Sequence, residues 1–267
     1  MSNHPIKPNT RVKNVRAFGV AKDGNSADEY EDAFEYEAAF NLKPTTYRFA
    51  VADGATESSF SKQWAKLLTE GFVRENSSLT RDLETQDGKD GKVKWLSPLQ
   101  QKWHKDIQWG KLSWVAEKKA REGAYSTFLG LQIYPKTWLA WAVGDCGLFQ
   151  VRDDELIAKW PMEQESQFGS TPALLCSLES RNDLVLESHF LFKSGKHKAR
   201  DLFILATDAL AQWFLAQYHA GEKPWSQVDK ITNESEFADF LKQLRDRHTI
   251  RNDDTTLVIF RARNAWL

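Results

Sequence analysis

Between Tyr125 and Val151 three short, β-rich runs follow one another with only turn residues between them: Tyr125 to Tyr134, Trp138 to Val143 and Leu148 to Val151. Strands joined by connections this short must run antiparallel, because a parallel return needs a crossover of a dozen residues or more. Further runs of β type are Val15 to Val20, Asp32 to Phe40, Tyr47 to Ala52, Leu184 to Phe192, Leu202 to Thr207 and Thr255 to Arg261. Helical spacing runs through Trp64, Leu67, Leu68 and Phe72, with Ser58 or Ser59 as the cap, through Pro98 to Arg121, and through Ala209 to His219 and Ser235 to Arg247. In the second of these, Trp103, Ile107, Trp114 and Val115 are the expected buried positions. Strands therefore come in groups with helices inserted, not in a βαβα alternation. This predicts an antiparallel sheet system covered by helices rather than a doubly wound sheet.

The bulk composition agrees with a globular chain. Of 267 residues, 41% are hydrophobic and 27% charged, and the net charge is -1. A near-neutral chain gives no reason to expect a nucleic acid or an anionic membrane as partner. Two cysteines, Cys146 and Cys176, predict free thiols rather than a disulfide framework. The start MSNHPIKPNT has no apolar stretch of signal type, and the longest strongly apolar run, Trp138 to Val143, is far too short to span a bilayer. The expectation is a cytoplasmic protein, monomeric, with a flexible lead-in over 1–13 and one domain over 14–267. Residues 76–95 are polar and centred on DGKDGK, and are read as a mobile loop.

Apolar runs repeatedly begin or stop on a carboxylate. Val51-Ala52 runs into Asp53-Gly54, Glu31-Asp32 opens the run DAFEYE, and Asp145 follows Val143-Gly144. Asp208 follows Leu205-Ala206-Thr207, and Asp253-Asp254 precede Thr255. An isolated Asp-Gly is ordinarily a turn. Five acidic sites at strand ends admit a second reading, a cluster of oxygen donors for hard divalent cations such as Mg²⁺ or Mn²⁺.

The motifs, in this order, resemble the metal-dependent protein phosphatases, the type-2C serine/threonine phosphatases. They are Glu31-Asp32-Ala33-Phe34, Val51-Ala52-Asp53-Gly54, Ala124-Tyr125-Ser126-Thr127, Val143-Gly144-Asp145-Cys146, Ile204 to Ala209 and Asn252 to Thr256. The resemblance implies an α+β fold, a central β-sandwich of two antiparallel sheets flanked by α-helices. It implies two Mn²⁺ or Mg²⁺ ions, bridged by Asp53, with the Gly54 carbonyl on one and Glu31, Asp208 and Asp253 completing the shell of the other. Asp32 would hold water, Asp145 would belong to a third, weaker metal site, and a bridging water would attack phosphoserine or phosphothreonine in line without a phosphoenzyme. The implied partner is a phosphorylated protein, in opposition to a Ser/Thr kinase.

The chain departs from that pattern in several places. Ala209 stands where the family has glycine, and Gln212 stands where Asp145 would find its acidic partner. Ala27 to Tyr30 hold no phosphate-binding arginine, leaving Lys22 or Arg16 upstream, and Ala55 replaces the histidine of eukaryotic relatives. These departures motivate the alternative, a weak or inactive phosphatase-like module that binds a partner; a phosphatase of small phosphorylated metabolites is a third reading. Cys146 to Arg152 fits Cys-x5-Arg, but the residues between read as a strand, which cannot wrap amides around a thiolate. Of the six histidines most are expected at the surface, with His248 a candidate for the cleft rim. Lys193 to Arg200 reads as a basic loop, solvated or able to dock acidic phosphopeptides.

Overall fold

The computed structural model describes residues 14–39, 46–55, 60–74, 88–169 and 171–262. The expected lead-in over 1–13 and the helix-capping Ser58 and Ser59 lie outside them. The strands are β1 (Val15–Val20), β2 (Ala33–Ala39), β3 (Thr46–Ala52), β4 (Tyr125–Ser126), β5 (Phe128–Ile133) and β6 (Thr137–Val143). They continue as β7 (Gly147–Arg152), β8 (Glu155–Trp160), β9 (Leu175–Cys176), β10 (Leu191–Lys196), β11 (Leu202–Ala206) and β12 (Thr255–Arg261). The α-helices are α1 (Ser61–Arg74), α2 (Gly88–Asp106), α3 (Trp114–Glu122), α4 (Asp183–Ser188), α5 (Asp208–His219), α6 (Trp225–Val228) and α7 (Glu234–Asp246).

Two five-stranded sheets have the orders β1-β12-β11-β7-β8 and β10-β6-β5-β3-β2, and a small third sheet pairs β4 with β9. Every pairing is antiparallel. The central strands are buried on both faces, which is why LFILA and LVIF read as unbroken apolar runs. Phe49, Val51, Leu129, Leu131, Phe203, Leu205, Val258 and Phe260 fill the space between the sheets. The alternate residues Ile204, Ala206, Leu257 and Ile259 face α5 and α7. On the opposite side Ala50, Phe128, Trp141 and Val143 meet α1 and α2. The result is the expected sandwich with helices on both outer faces. Among the described residues no helix is long and apolar enough to cross a membrane.

Several local expectations are corrected. Residues 88–95 are not loop but the first turns of α2, in which Pro98 lies inside the helix. Trp95, Leu96, Leu99 and Trp103 are buried there, so tertiary packing overrides the polar, glycine-containing start. The expected loop residues 76–87 lie outside the described residues. Ile107 is buried as expected, but Trp114 is 78% exposed and Val115 56%, because α3 buries only Ala120.

The run Leu184 to Phe192 splits into α4 and β10; a short apolar run has no period long enough to separate helix from strand. Strand β8 has no counterpart among the expected runs. Asp153 and Asp154 both have positive φ (51° and 65°) and make the two-residue turn that folds β8 onto β7. His197 is buried, with Nε2 2.6 Å from the Tyr134 carbonyl oxygen, and Lys193 to Lys196 belong to edge strand β10 rather than to a loop.

Candidate metal centre

Strand register brings the acidic positions to one rim. In one sheet Ala33 pairs with Ala52, Val51 with Leu129 and Phe128 with Val143. In the other, Ala206 pairs with both Gly147 and Leu257, and Val20 with Thr255. The strand ends that carry Asp32, Asp53, Asp145, Asp208 and Asp253 are therefore the same end of the sandwich. The turn Gly144-Asp145-Cys146 crosses there from one sheet to the other. Gly144 has φ 90°, and a Cβ on it would lie 2.7 Å from Thr127 Cγ2 and 2.9 Å from the Ala173 carbonyl oxygen, so glycine is needed both for conformation and for space.

The backbone of Asp53 is clamped on both sides. Its N–H donates to Thr127 Oγ1 at 2.9 Å, and its carbonyl accepts from the Thr127 N–H (2.9 Å) and Ser126 Oγ (2.8 Å). Burial pushes its carboxyl well above the usual carboxylate range, and the charges of Asp32, Asp208, Asp253 and Asp145 push it further. Asp32 is buried, and burial raises its carboxyl as well. Hydrogen bonds from Thr256 and Thr207, both 2.9 Å to Oδ2, pull it partway back. Its other oxygen, Oδ1, is buried with no partner.

Asp145 is 2% exposed, and neither of its oxygens receives a hydrogen bond from another residue. Burial first, then the Asp208 charge, push its carboxyl up to about 7. Asp208 opens α5. Burial raises its carboxyl, while an ion pair with Arg251 Nη2 opposes the shift.

Glu31 and Gly54 approach through their backbones. A Cβ at Gly54 would lie 2.7 Å from the Glu31 carbonyl oxygen, so only glycine allows the two segments this close. The Glu31 carboxylate accepts from Ser61 Oγ at 2.6 Å, at the start of α1. Asp254 holds this corner: it accepts from the N–H groups of Lys22 (2.9 Å) and Glu31 (2.7 Å). No sequence signal separates its role from that of Asp253. Sequence reasoning likewise missed Arg251, and Tyr30, whose hydroxyl bonds Thr256 Oγ1.

The donor set is all oxygen, anionic and largely buried, which suits a hard divalent cation. Among the described residues no three acidic, histidine or cysteine side chains converge on one ligating point as they stand. Glu31 is turned to Ser61 and Asp208 to Arg251, while Asp32 Oδ1 and both Asp145 oxygens are left bare. The residues fit a cation in chemistry and place, with two carboxylates engaged elsewhere in this state. A groove of about 440 Å³ lies away from the rim, between edge strands β8 and β10. Its lysines, Lys159, Lys193 and Lys196, are where edge strands ordinarily carry charge against pairing with other chains.

The model of the protein phosphatase 2C family matches residues 25–258, most of the chain. The chain belongs to the protein phosphatase 2C family. This family of serine/threonine protein phosphatases consists of hydrolases. Among curated protein sequences none matches the chain detectably. It is similar in structure to the serine/threonine phosphatase Stp1 from Staphylococcus aureus, at 13% identity and TM-score 0.60, covering 98% of this chain and 99% of that one. It is also similar to the serine/threonine phosphatase PstP/Ppp of Mycobacterium tuberculosis, at 13% identity and TM-score 0.60, covering 93% and 98%. The catalytic domain of PstP in complex with two manganese ions is similar at 14% identity and TM-score 0.55, covering 93% and 99%.

Against the 2C pattern, the departures take definite positions. Ala209 is buried in α5 and has no positive φ, so its methyl group is compatible with the backbone. Gln212 Nε2 donates to the Glu165 carbonyl (3.3 Å), so it does not partner Asp145. Arg16 is committed to Asp229 and the Ile231 carbonyl. His248 is exposed and has φ 54°, just past α7, with its N–H on the Arg245 carbonyl. Cys146 is buried, with Sγ 3.1 Å from Thr127 Oγ1, and residues 147–152 form β7 with Arg152 paired to Asp201. That excludes a Cys-x5-Arg phosphate loop.

Proposed function

We propose that the chain is a metal-dependent phosphoserine/phosphothreonine protein phosphatase that uses two Mn²⁺ or Mg²⁺ ions. The observation that carries this reading is the set of bare, buried carboxylate oxygens on Asp32 and Asp145 within a cluster of five acids. Burying unpaired negative charge is costly, and such a site is retained when cations supply the compensation. Asp53, the Gly54 carbonyl, Glu31, Asp208 and Asp253 would hold the ions, with Asp145 the residue for any third. A bound pair of divalent cations supplies charge neutralisation for a phosphoryl group and makes water acidic enough to react near neutral pH.

The chain's own residues do the rest. Ser126 and Thr127 fix the backbone of Asp53, so its carboxylate is presented rigidly from the end of β3. Thr207 and Thr256 occupy one oxygen of Asp32 and leave Oδ1 to accept a proton or a hydrogen bond from water for in-line attack. The Ala55 side chain offers no proton to the leaving alkoxide, so general acid catalysis does not come from this position. The departures that motivate a non-catalytic module, Ala209 and Gln212, leave all of these acids in place.

The test compares wild type with Asp53→Asn on p-nitrophenyl phosphate and on phosphoserine and phosphothreonine peptides, in Mn²⁺ and in EDTA. The expected result is hydrolysis by wild type in Mn²⁺ alone, with the variant inert but folded. Equal turnover in the variant, or turnover that survives EDTA, refutes the proposal.

A further inference from the structure

A cationic side chain is already bonded to one of the rim carboxylates. Arg251 lies in the turn between α7 and β12, where its carbonyl accepts the Asp253 N–H at 3.1 Å. The turn that presents Asp253 thus also presents Arg251. The Arg251 Nη2 group donates to Asp208 Oδ2, and Asp208 Oδ1 accepts the N–H of Ala209 at 2.5 Å. Both Asp208 oxygens are therefore in use. The Arg251 side chain is 42% exposed and that of Asp208 10%, so the guanidinium bridges from the cluster to solvent. Asp208, Asp253 and Asp145 surround it with negative charge.

From this arrangement we infer that Arg251 exchanges partners: it is the counterion of Asp208 in the metal-free protein and the phosphate-binding guanidinium of the loaded one. The inference rests on the proposed metal centre. A cation on Asp208 Oδ2 must compete with Arg251 for the same oxygen. Once displaced, the guanidinium sits beside added positive charge and gains an anion in its place. Its planar fork matches two oxygens of a phosphate monoester.

Among the described residues ahead of β2, no arginine is left for this role. Residues 27–30 hold no arginine, and the Arg16 guanidinium is spent on Asp229 and two carbonyl groups. Arg245 is buried and donates to the carbonyls of Ala21 and Asp253 and to the Asp23 carboxylate.

The experiment uses the full chain as wild type, Arg251→Ala and Arg251→Gln, the last as the milder change should alanine fail to fold. Calorimetry measures Mn²⁺ binding to protein stripped with EDTA. Inorganic phosphate is then titrated into the Mn²⁺-loaded protein. Removing the competitor should tighten the weaker Mn²⁺ step several-fold. Phosphate should bind about tenfold more weakly or worse, as expected for a lost charge-assisted pair. In turnover, KM for a phosphopeptide should rise by more than kcat falls. Unchanged or weaker Mn²⁺ binding in both variants overturns the competition, and unchanged phosphate binding overturns the second role. Wild type that binds Mn²⁺ but hydrolyses nothing refutes the phosphatase reading, while the two titrations still decide on Arg251. Wild type that binds no Mn²⁺ at millimolar concentration overturns both.

Discussion

Replacing Asp145 by asparagine should stabilise the metal-free protein, and more so as the pH rises. Asp145 is 2% exposed and its oxygens receive no hydrogen bond from another residue. Burial and the Asp208 charge push its carboxyl up to about 7. In the unfolded chain the same group titrates near ~3.9. A folded value raised above the unfolded one favours folding fully only below the unfolded value, and that advantage is lost as pH rises through the folded one. Asp145 therefore costs about 1.5 kcal/mol at pH 5, where it must take up a proton on folding, and about 4 kcal/mol at pH 8.5, where it is buried ionised, relative to a neutral isostere.

Asparagine keeps the shape and carries no proton to lose. Thermal unfolding in EDTA should then show a variant advantage larger at pH 8.5 than at pH 5 by about 3 kcal/mol, or roughly 6–10 °C for a chain of this size. The same advantage at both pH values would refute the reasoning, because it would come from packing rather than charge. In Mn²⁺ the wild type should recover at least part of the difference.

Gly54→Ala should cost about 1–3 kcal/mol in urea unfolding and weaken Mn²⁺ binding by calorimetry, because the new Cβ would meet the Glu31 carbonyl at 2.7 Å. Asp254→Ala removes the acceptor of the Lys22 and Glu31 N–H groups and should cost about 2–4 kcal/mol by the same unfolding assay, with lower metal affinity as Glu31 loosens. Asp201→Asn tests the other end of the sandwich. Burial raises the Asp201 carboxyl, but bonds from Arg152, the Lys198 N–H and Gln150 outweigh it and leave it lowered. Its contribution is present above the unfolded value and lost as pH falls through the folded one. The variant should be clearly weaker than wild type at pH 7, by a margin that shrinks as the pH falls below the unfolded carboxylate value, measured by denaturation at each pH.

The sandwich and its acidic rim are legible in the residues alone. Grouped β-rich runs with short turns force antiparallel pairing, and strand ends that repeat a carboxylate must meet once register is set, because Asp32, Asp53, Asp145 and Asp208 each sit one or two residues from a paired strand end. Side chains buried on both faces of β11 and β12 leave the same unbroken apolar mark. Helix α2 is hidden because its first turns are polar and only packing of Trp95 against Phe128 and Phe190 makes them helical. The strand β8 is hidden in a half-exposed edge.

Within the site, residue types and positions are legible but partners are not. Asp254 grips two amides while the carboxylate of its neighbour Asp253 accepts the Asp254 N–H, Arg251 holds Asp208, and the Asp145 oxygens take no hydrogen bond from another residue. These arrangements depend on contacts between segments more than forty residues apart in the chain. A local pattern carries hydrophobic period and turn chemistry, because those act between near neighbours. Which charges neutralise one another is decided only when register and helix packing bring distant segments within hydrogen-bonding reach.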